Sequence, residues 1–557
     1  MNGIKANTMK SLQEKLSNIT ASSIFVYVGL WLVFATTRFL LNGVFKGWNP
    51  GLYHDAGLHY MSGVMVETYF AENWGTNPIV YLANFFEQYA FTGVGLWPPV
   101  FHFFEGIWII LFSGSRLSIL ALDAAIVGST ALSVFHVGKP YLRFGEAFFG
   151  ALAICVMYQF LLALEILMID AFTAFWMFWS VIHFIKFLNI PSLRNAIVAS
   201  FMASIAILSK GTAIALVLVL PLATLLADKS HLLKNYRYWI IPIIIGVLTA
   251  PWYLLTSQYS SQGFRFEFGW DYTSLAFVEY SAYVFQNMGI IGMALLFFAV
   301  IIMFKEKIWT KDNNLFAGLA ALCIGAFLYQ ILMPVALQDR YIIVLYPAML
   351  LIAFKGLSCL HDLRLRKVLI FAGLINIFAF AFLTYEKHEE SGEEAAQTII
   401  EAMKGKGEPI LLIASPEIEG VLATDIWMNA PKALLSDIYF LRGVKLLGGG
   451  GYNNLDYEVR YPDLDDVKQA IKQTGISFLV IEQSERTGIW EHNAQVAEII
   501  AADKAMFVEL ATIEISENRS VRVIRVETRT EQVPDLELIK SINQNRVLTK
   551  FKGMFHQ

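Results

Sequence analysis

Apolar residues fall along this chain in long blocks. Over the first 385 residues the blocks lie at 22–41, 97–113, 117–137, 145–163, 170–188, 196–208, 211–227, 238–255, 284–304, 314–333, 341–358 and 366–384. A helix needs about 20 apolar residues to span a bilayer, and helices and closed barrels are the structures that satisfy their own backbone in lipid. The pattern therefore predicts an α-helical polytopic membrane protein with about 11–13 transmembrane helices. After residue 385 the blocks shorten. Residues 409–414 and 476–481 read as buried strands, and 506–515 and 520–527 alternate as a hairpin joined by Glu517-Asn518-Arg519. Residues 463–474 and 491–505 read as helices. This predicts two domains: a transmembrane domain, 1–385, and a soluble α/β domain, 386–557. The run Gly448 to Gly451 lacks the Lys-Ser/Thr of a phosphate-binding loop and reads as a flexible connection.

Charge sharpens the division. The whole chain is 56% hydrophobic and only 16% charged. Charged residues are more than twice as dense in 386–557 as in 1–385. The formal net charge of −4, with no large basic face, argues against a nucleic-acid partner. The three cysteines, Cys155, Cys323 and Cys359, each lie in an apolar run with no Cys-x-x-Cys. Neither a disulfide framework nor a cysteine zinc site follows.

Lysine and arginine in short loops orient the spans. Lys5, Lys10 and Lys15 predict a cytoplasmic N-terminus, and the later basic loops agree if 97–113 returns to the side it started from. That block opens Trp97-Pro98-Pro99 and carries His102 and Glu105, which suits an interfacial or re-entrant element. The path then has about 11 full crossings. It turns 42–116, 256–283 and the tail to the extracytoplasmic side of a cell inner (plasma) membrane.

Ionisable groups at membrane depth are costly, so those near the extracytoplasmic side are candidate chemistry. The first loop, 42–96, reads Tyr53-His54-Asp55-Ala56-Gly57-Leu58-His59-Tyr60. Asp55 could act as a general base on an acceptor hydroxyl or amine. On a helix Asp55 and His59 share a face, as an acid–base pair or, with His54, as part of a divalent metal site. Asp170, between two apolar blocks, is either a second functional acid or a helix-terminal carboxylate. Cations on that side are scarce: Lys46, Arg116, Lys210, Arg265 and Arg340. Lys210, Arg265 and Arg340 are the candidates for neutralising a phosphate. His54, His59, Tyr60, Trp97, His102 and Glu105 are candidate substrate-binding residues around Asp55.

In order along residues 20–385, these pieces resemble the GT-C superfamily of polytopic glycosyltransferases, in its branch of protein O-mannosyltransferases and the lipid A aminoarabinose transferase. The resemblance rests on Asp55 followed by Tyr60, Trp97-Pro98-Pro99-Val100-Phe101-His102, and Asp170-Ala171-Phe172-Thr173-Ala174-Phe175-Trp176. It also rests on Leu208-Ser209-Lys210-Gly211 with Pro221, Pro251-Trp252-Tyr253, and Arg340-Tyr341 with Pro347. Two positions depart from the family pattern: Ala56 stands where an acid often follows the loop Asp, and Trp97 where a basic residue often precedes Pro-Pro.

The resemblance implies inverting transfer of a sugar from a polyprenyl-monophosphate donor to a glycan, lipid or protein acceptor, with Asp55 as base. Basic side chains balance the phosphate, so no cofactor is required. Membrane lipids would surround the donor's tail. Two alternatives predict different features: a GT-C enzyme with a lipid-diphosphate donor would carry Asp-x-Asp or need a divalent metal, and a transporter of lipid-linked sugars would carry broken helices near mid-membrane.

Overall fold

A computed structural model describes residues 21–46, 54–162, 169–260, 266–306, 314–384, 391–449, 457–484, 490–516, 518–527, 534–544 and 548. All the apolar blocks are helical in it. The N-terminal part runs α1 (Ala21–Lys46), α2 (His54–Glu72), α3 (Pro78–Tyr89), α4 (Val100–Leu111), α5 (Arg116–Gly138), α6 (Phe144–Val156) and the short α7 (Tyr158–Leu162). It continues with α8 (Ile169–Asn189), α9 (Leu193–Ile207), a 3-10 turn Gly211–Ala215 leading into α10 (Leu216–Leu226), α11 (Tyr236–Ser260), α12 (Trp270–Lys305), α13 (Leu315–Leu332), a 3-10 turn Asp339–Ile342, α14 (Leu345–Ser358) and α15 (Leu363–Thr384).

Among the described helices seven are long and apolar enough to cross a bilayer: α1, α5, α8, α11, α12, α13 and α15. Five apolar segments are shorter. At 1.5 Å per residue α4 is about 18 Å long, well under a hydrocarbon core of about 30 Å. Polar caps set several helix starts: Asn77 accepts from Ile79 and Val80, Ser115 from Ser118, and Ser192 from Asn195.

Three features differ from the hydropathy reading. The first loop is largely helical, as α2 and α3. Hydropathy misses α2 because Asp55, His59, Glu67 and Glu72 interrupt it, although its first half is buried. Second, the span expected at 284–304 starts at Trp270 and breaks at Gly289, whose φ is +65°. There the side-chain oxygen of Asn376 fills the space a Cβ would take and accepts from the Ile291 N–H at 3.4 Å. Third, charges within apolar segments are paired: Arg38 on α1 meets Asp123 on α5 at 3.0 Å, both fully buried, and Arg366 meets Glu146.

The tail continues with α16 (Glu393–Ala402), β1 (Ile410–Ile413), α17 (Pro416–Asn429), α18 (Lys432–Leu435), β2 (Phe440–Arg442), α19 (Gly443–Leu446), β3 (Gly448–Gly449), β4 (Glu458–Val459), α20 (Leu464–Thr474), β5 (Phe478–Gln483), α21 (Glu491–Ala502), β6 (Phe507–Ser516), β7 (Arg519–Val526) and α22 (Leu536–Asn543). One five-stranded sheet has the order β2-β1-β5-β7-β6, with β1 parallel to β2 and β5. β7 pairs antiparallel with β5 and with β6, the expected hairpin. Side chains alternate between faces. Leu411, Ile413, Leu479 and Ile481 pack with Val467 and Ile471 of α20 and Val496 and Ile500 of α21. Ile410, Leu412, Phe478 and Val480 join, through α16 and α17, a core continuous with the helical part. The sheet is thus seated on the N-terminal helical part, with α17 lying against α2.

Candidate active site

The site forms where α2, the start of α8, the turn after α9 and the 3-10 turn before α14 meet. Asp55 lies in the first turn of α2, and its Oδ2 accepts from Arg340 Nη2 at 2.7 Å. Arg340 is also held by Gln338, whose Oε1 accepts from Nε at 2.7 Å. Asp170 begins α8, and its Oδ1 accepts from Lys210 Nζ at 2.5 Å. All four charged side chains are buried, from 4% exposed at Asp170 to 8% at Asp55 and Arg340. One ring links the pairs: Tyr341 has Lys210 Nζ 4.7 Å and the Arg340 guanidinium 5.6 Å from its centroid. Cation–π contact steadies both cations on the aromatic face. Beside it lies a small cavity lined in part by Asp170, Thr173, Thr212, Gln330 and Tyr341.

Backbone contacts fix the turn that carries Lys210. Val100 N–H, first in α4, donates to Leu208 at 3.0 Å. Tyr253 Oη on α11 donates to the Ile207 carbonyl at 2.8 Å. The Pro-Pro element, the Ser-Lys-Gly turn and the Pro-Trp-Tyr segment therefore meet, although α10 separates the last two along the chain.

The aromatic wall comes from α2 and α4. His59 Nδ1 and His102 Nε2 lie 2.9 Å apart, and Trp97 covers His59 at 4.3 Å between centroids. Trp97 can approach because residue 93 is glycine: a Cβ there would collide with the indole. Burial and the neighbouring His102 hold His59 well below the usual imidazole range. A neutral imidazole donates through one nitrogen and accepts through the other, as the contact with His102 requires.

The remaining candidates fall elsewhere. Tyr60 Oη donates to the Gly114 carbonyl at 3.0 Å, so its hydroxyl faces the start of α5. Glu105 is fully buried against Gly63, and neither carboxylate oxygen has a partner among the described residues. Arg116 pairs with Asp425 of the tail. Arg265 lies outside the described residues, as does the side chain of His54. Asp55 bonds Arg340 and His59 bonds His102, and the charges of Asp55, Lys210 and Arg340 all act on the His59 imidazole. Among the described residues no group of three His, Cys, Asp or Glu side chains forms a metal-ligand set.

A family model for dolichyl-phosphate-mannose-protein mannosyltransferase matches residues 97–254, from the Pro-Pro element through Pro-Trp-Tyr. The fold is similar to that of ArnT from Cupriavidus metallidurans in the apo state, with a TM-score of 0.55 and 13% identity, covering 90% of this chain and 98% of that one. It is equally similar to ArnT from the same organism bound to undecaprenyl phosphate: TM-score 0.55, 14% identity, 93% and 100% covered. The chain thus shares the fold of these ArnT structures, and its residues 97–254 match the mannosyltransferase model. No curated protein sequence matches it.

Within this fold, sequence reasoning missed two roles. Tyr341 belongs to the Arg-Tyr pair, but its place between two cations requires Lys210 to arrive from a distant part of the chain. Gln338 orients Arg340 and carries no signal beyond its proximity in the chain. The glycines at 63 and 93, which admit Glu105 and Trp97, offered a weak signal: each interrupts a segment otherwise rich in larger side chains.

Proposed function

We propose that this protein is a membrane glycosyltransferase that moves a sugar from a polyprenyl-monophosphate donor to an acceptor, with inversion, at the extracytoplasmic face of the inner (plasma) membrane. The observation that carries the proposal is the pair of buried carboxylate–cation contacts, Asp55–Arg340 and Asp170–Lys210, joined over the Tyr341 ring. The match to ArnT bound to undecaprenyl phosphate supports the lipid class. The mannosyltransferase match supports the reaction class.

In this reading the acceptor's oxygen or nitrogen attacks the anomeric carbon opposite the phosphate. Asp55 takes the acceptor's proton as that bond forms. The bond from the anomeric carbon to the phosphate oxygen breaks, and polyprenyl phosphate leaves. Arg340 and Lys210 turn from their carboxylates toward the phosphate and balance the charge that builds on the leaving oxygen. Moving Arg340 onto phosphate also releases Asp55 to accept a proton. Asp170 holds Lys210 in place until donor arrives. Two buried cations supply the charge that a metal supplies elsewhere, so the reaction as proposed needs none.

The test is mass spectrometry of membrane lipids from the native host, comparing wild type with Asp55→Asn. Accumulation of one polyprenyl-phosphate sugar in the variant is the expected result, and its mass names the sugar. Identical lipid pools, with the wild-type protein expressed, would overturn the donor assignment.

A further inference from the structure

Helix α17 of the tail touches α2 backbone to backbone, two residues from Asp55. A Cβ placed on Gly57 would lie 2.5 Å from the Gly420 carbonyl oxygen and 2.7 Å from its carbon. Both glycines sit inside helices, where glycine is disfavoured relative to alanine. Close approach of the two helices is what requires Gly57.

The tail is anchored around that contact on several sides. Asp425, further along α17, pairs with Arg116 and accepts from the Gly392 N–H at 2.7 Å. Arg116 opens α5, and the Gly114 carbonyl just before it accepts from Tyr60 Oη of α2. A closed path therefore runs from α2 through residues 114–116 to α17 and back through the glycine contact. A second anchor lies on α3. The Gln88 amide donates to the Ser436 and Ile438 carbonyls at 2.9 and 3.0 Å, and Tyr89 Oη donates to Leu435 at 2.8 Å. Tyr89 also packs edge-on to Trp427 of α17 at 4.9 Å. At the far end, Asn543 donates from α22 to the Glu87 carbonyl at 2.9 Å and to that of Phe440 at 2.7 Å.

These contacts grip α2 and α3, neither of which is among the long apolar spans, and the first residue of α5, which is one of them. Arg340 sits on a different element, the 3-10 turn before α14, where Gln338 holds its Nε and Asp339 its backbone N–H. The position of Asp55 relative to Arg340 is therefore set by two bodies, one of which carries the tail. We propose that the tail domain is a positioning element for the reaction, with Gly420, Gly57 and the Arg116–Asp425 pair as positioning residues that set the depth and rotation of the first turn of α2. This rests on the reading of Asp55 as the base. A shift of about 1 Å in a reacting group can cost on the order of 100-fold in rate, and a methyl wedged between α2 and α17 forces a shift of that size.

The test uses the full-length purified protein with a polyprenyl-phosphate sugar and measures kcat and donor KM for Gly57→Ala, Arg116→Met and Asp55→Asn. Binding of polyprenyl phosphate is read in parallel from its shift of the melting temperature. The expected result is a fall in kcat of about 10-fold or more for Gly57→Ala, with donor KM and polyprenyl-phosphate binding within about twofold of wild type. Arg116→Met, away from the helix contact, should give a smaller fall with the same split; it carries the test if Gly57→Ala does not fold. Wild-type kcat in folded Arg116→Met and Gly57→Ala, with Asp55→Asn inactive, overturns the positioning role and leaves the base intact. A fall expressed in donor KM alone also overturns it. An active Asp55→Asn overturns the reading of the base instead.

Discussion

The Lys210–Asp170 pair separates what holds the site together from what performs transfer. The partners touch at 2.5 Å with side chains 8% and 4% exposed. At that distance, with an effective dielectric of about 20, their attraction is about 7 kcal/mol. Most of that offsets the cost of taking both charges out of water, but removing one partner strands the other, at a cost of about 3–5 kcal/mol. Lys210→Met should therefore lower the melting temperature sharply, and so should Asp170→Leu. The double variant replaces both charges with apolar side chains of similar size and should melt close to wild type, because buried pairs replaced together are often neutral. The coupling across the cycle should be about 3 kcal/mol or more. Activity should follow the opposite rule. If Lys210 balances the donor phosphate, the double variant stays inactive despite its recovered stability. The assay pairs thermal melting in detergent with transfer from a polyprenyl-phosphate sugar. Additive losses of stability would refute the buried-pair reasoning. Recovery of activity in the double variant would refute the phosphate role of Lys210.

Asp55→Asn should keep the protein folded in the membrane and lower transfer by about 100-fold or more, the scale of a lost general base; wild-type turnover in that variant would remove Asp55 from the mechanism. Arg340→Ala should raise the donor KM and leave the acceptor KM nearly unchanged, and the opposite pattern would place Arg340 on the acceptor. Chelators should leave activity largely intact; complete loss restored by a divalent metal would favour the lipid-diphosphate reading. In the tail, burial pushes His492 down to about 4, and its Nδ1 lies 2.6 Å from Tyr457 Oη. A base whose folded value is depressed stabilises the fold above its unfolded value near 6.5, and that contribution is lost as pH falls toward 4. It amounts to about 3 kcal/mol, so His492→Gln should flatten the acid limb of a pH–melting curve over that range.

Sequence alone determined the parts whose physics is local. Blocks of apolar residues must be helices in lipid, so all of them appear as helices within a residue or a few of the expected bounds, apart from the early start of α12. The alternating stretches 506–515 and 520–527 must put one face inside, and they form the β6–β7 hairpin. Asp55, Asp170, Lys210 and Arg340 stood out because charge at membrane depth is costly. What the tertiary structure decided is how they pair. Asp55 bonds Arg340, far along the chain, because the 3-10 turn before α14 brings a guanidinium to the first turn of α2. His59 meets His102, because Gly93 lets Trp97 close over it. The helical first loop was hidden because α2 is buried by contact with protein, including the tail, and hydropathy registers lipid contact only. The seat of the tail on α2 depended on Gly57 and Gly420, two residues with no side chain to signal it. Their value lies in the closeness they allow between a helix near the start of the chain and one in the tail.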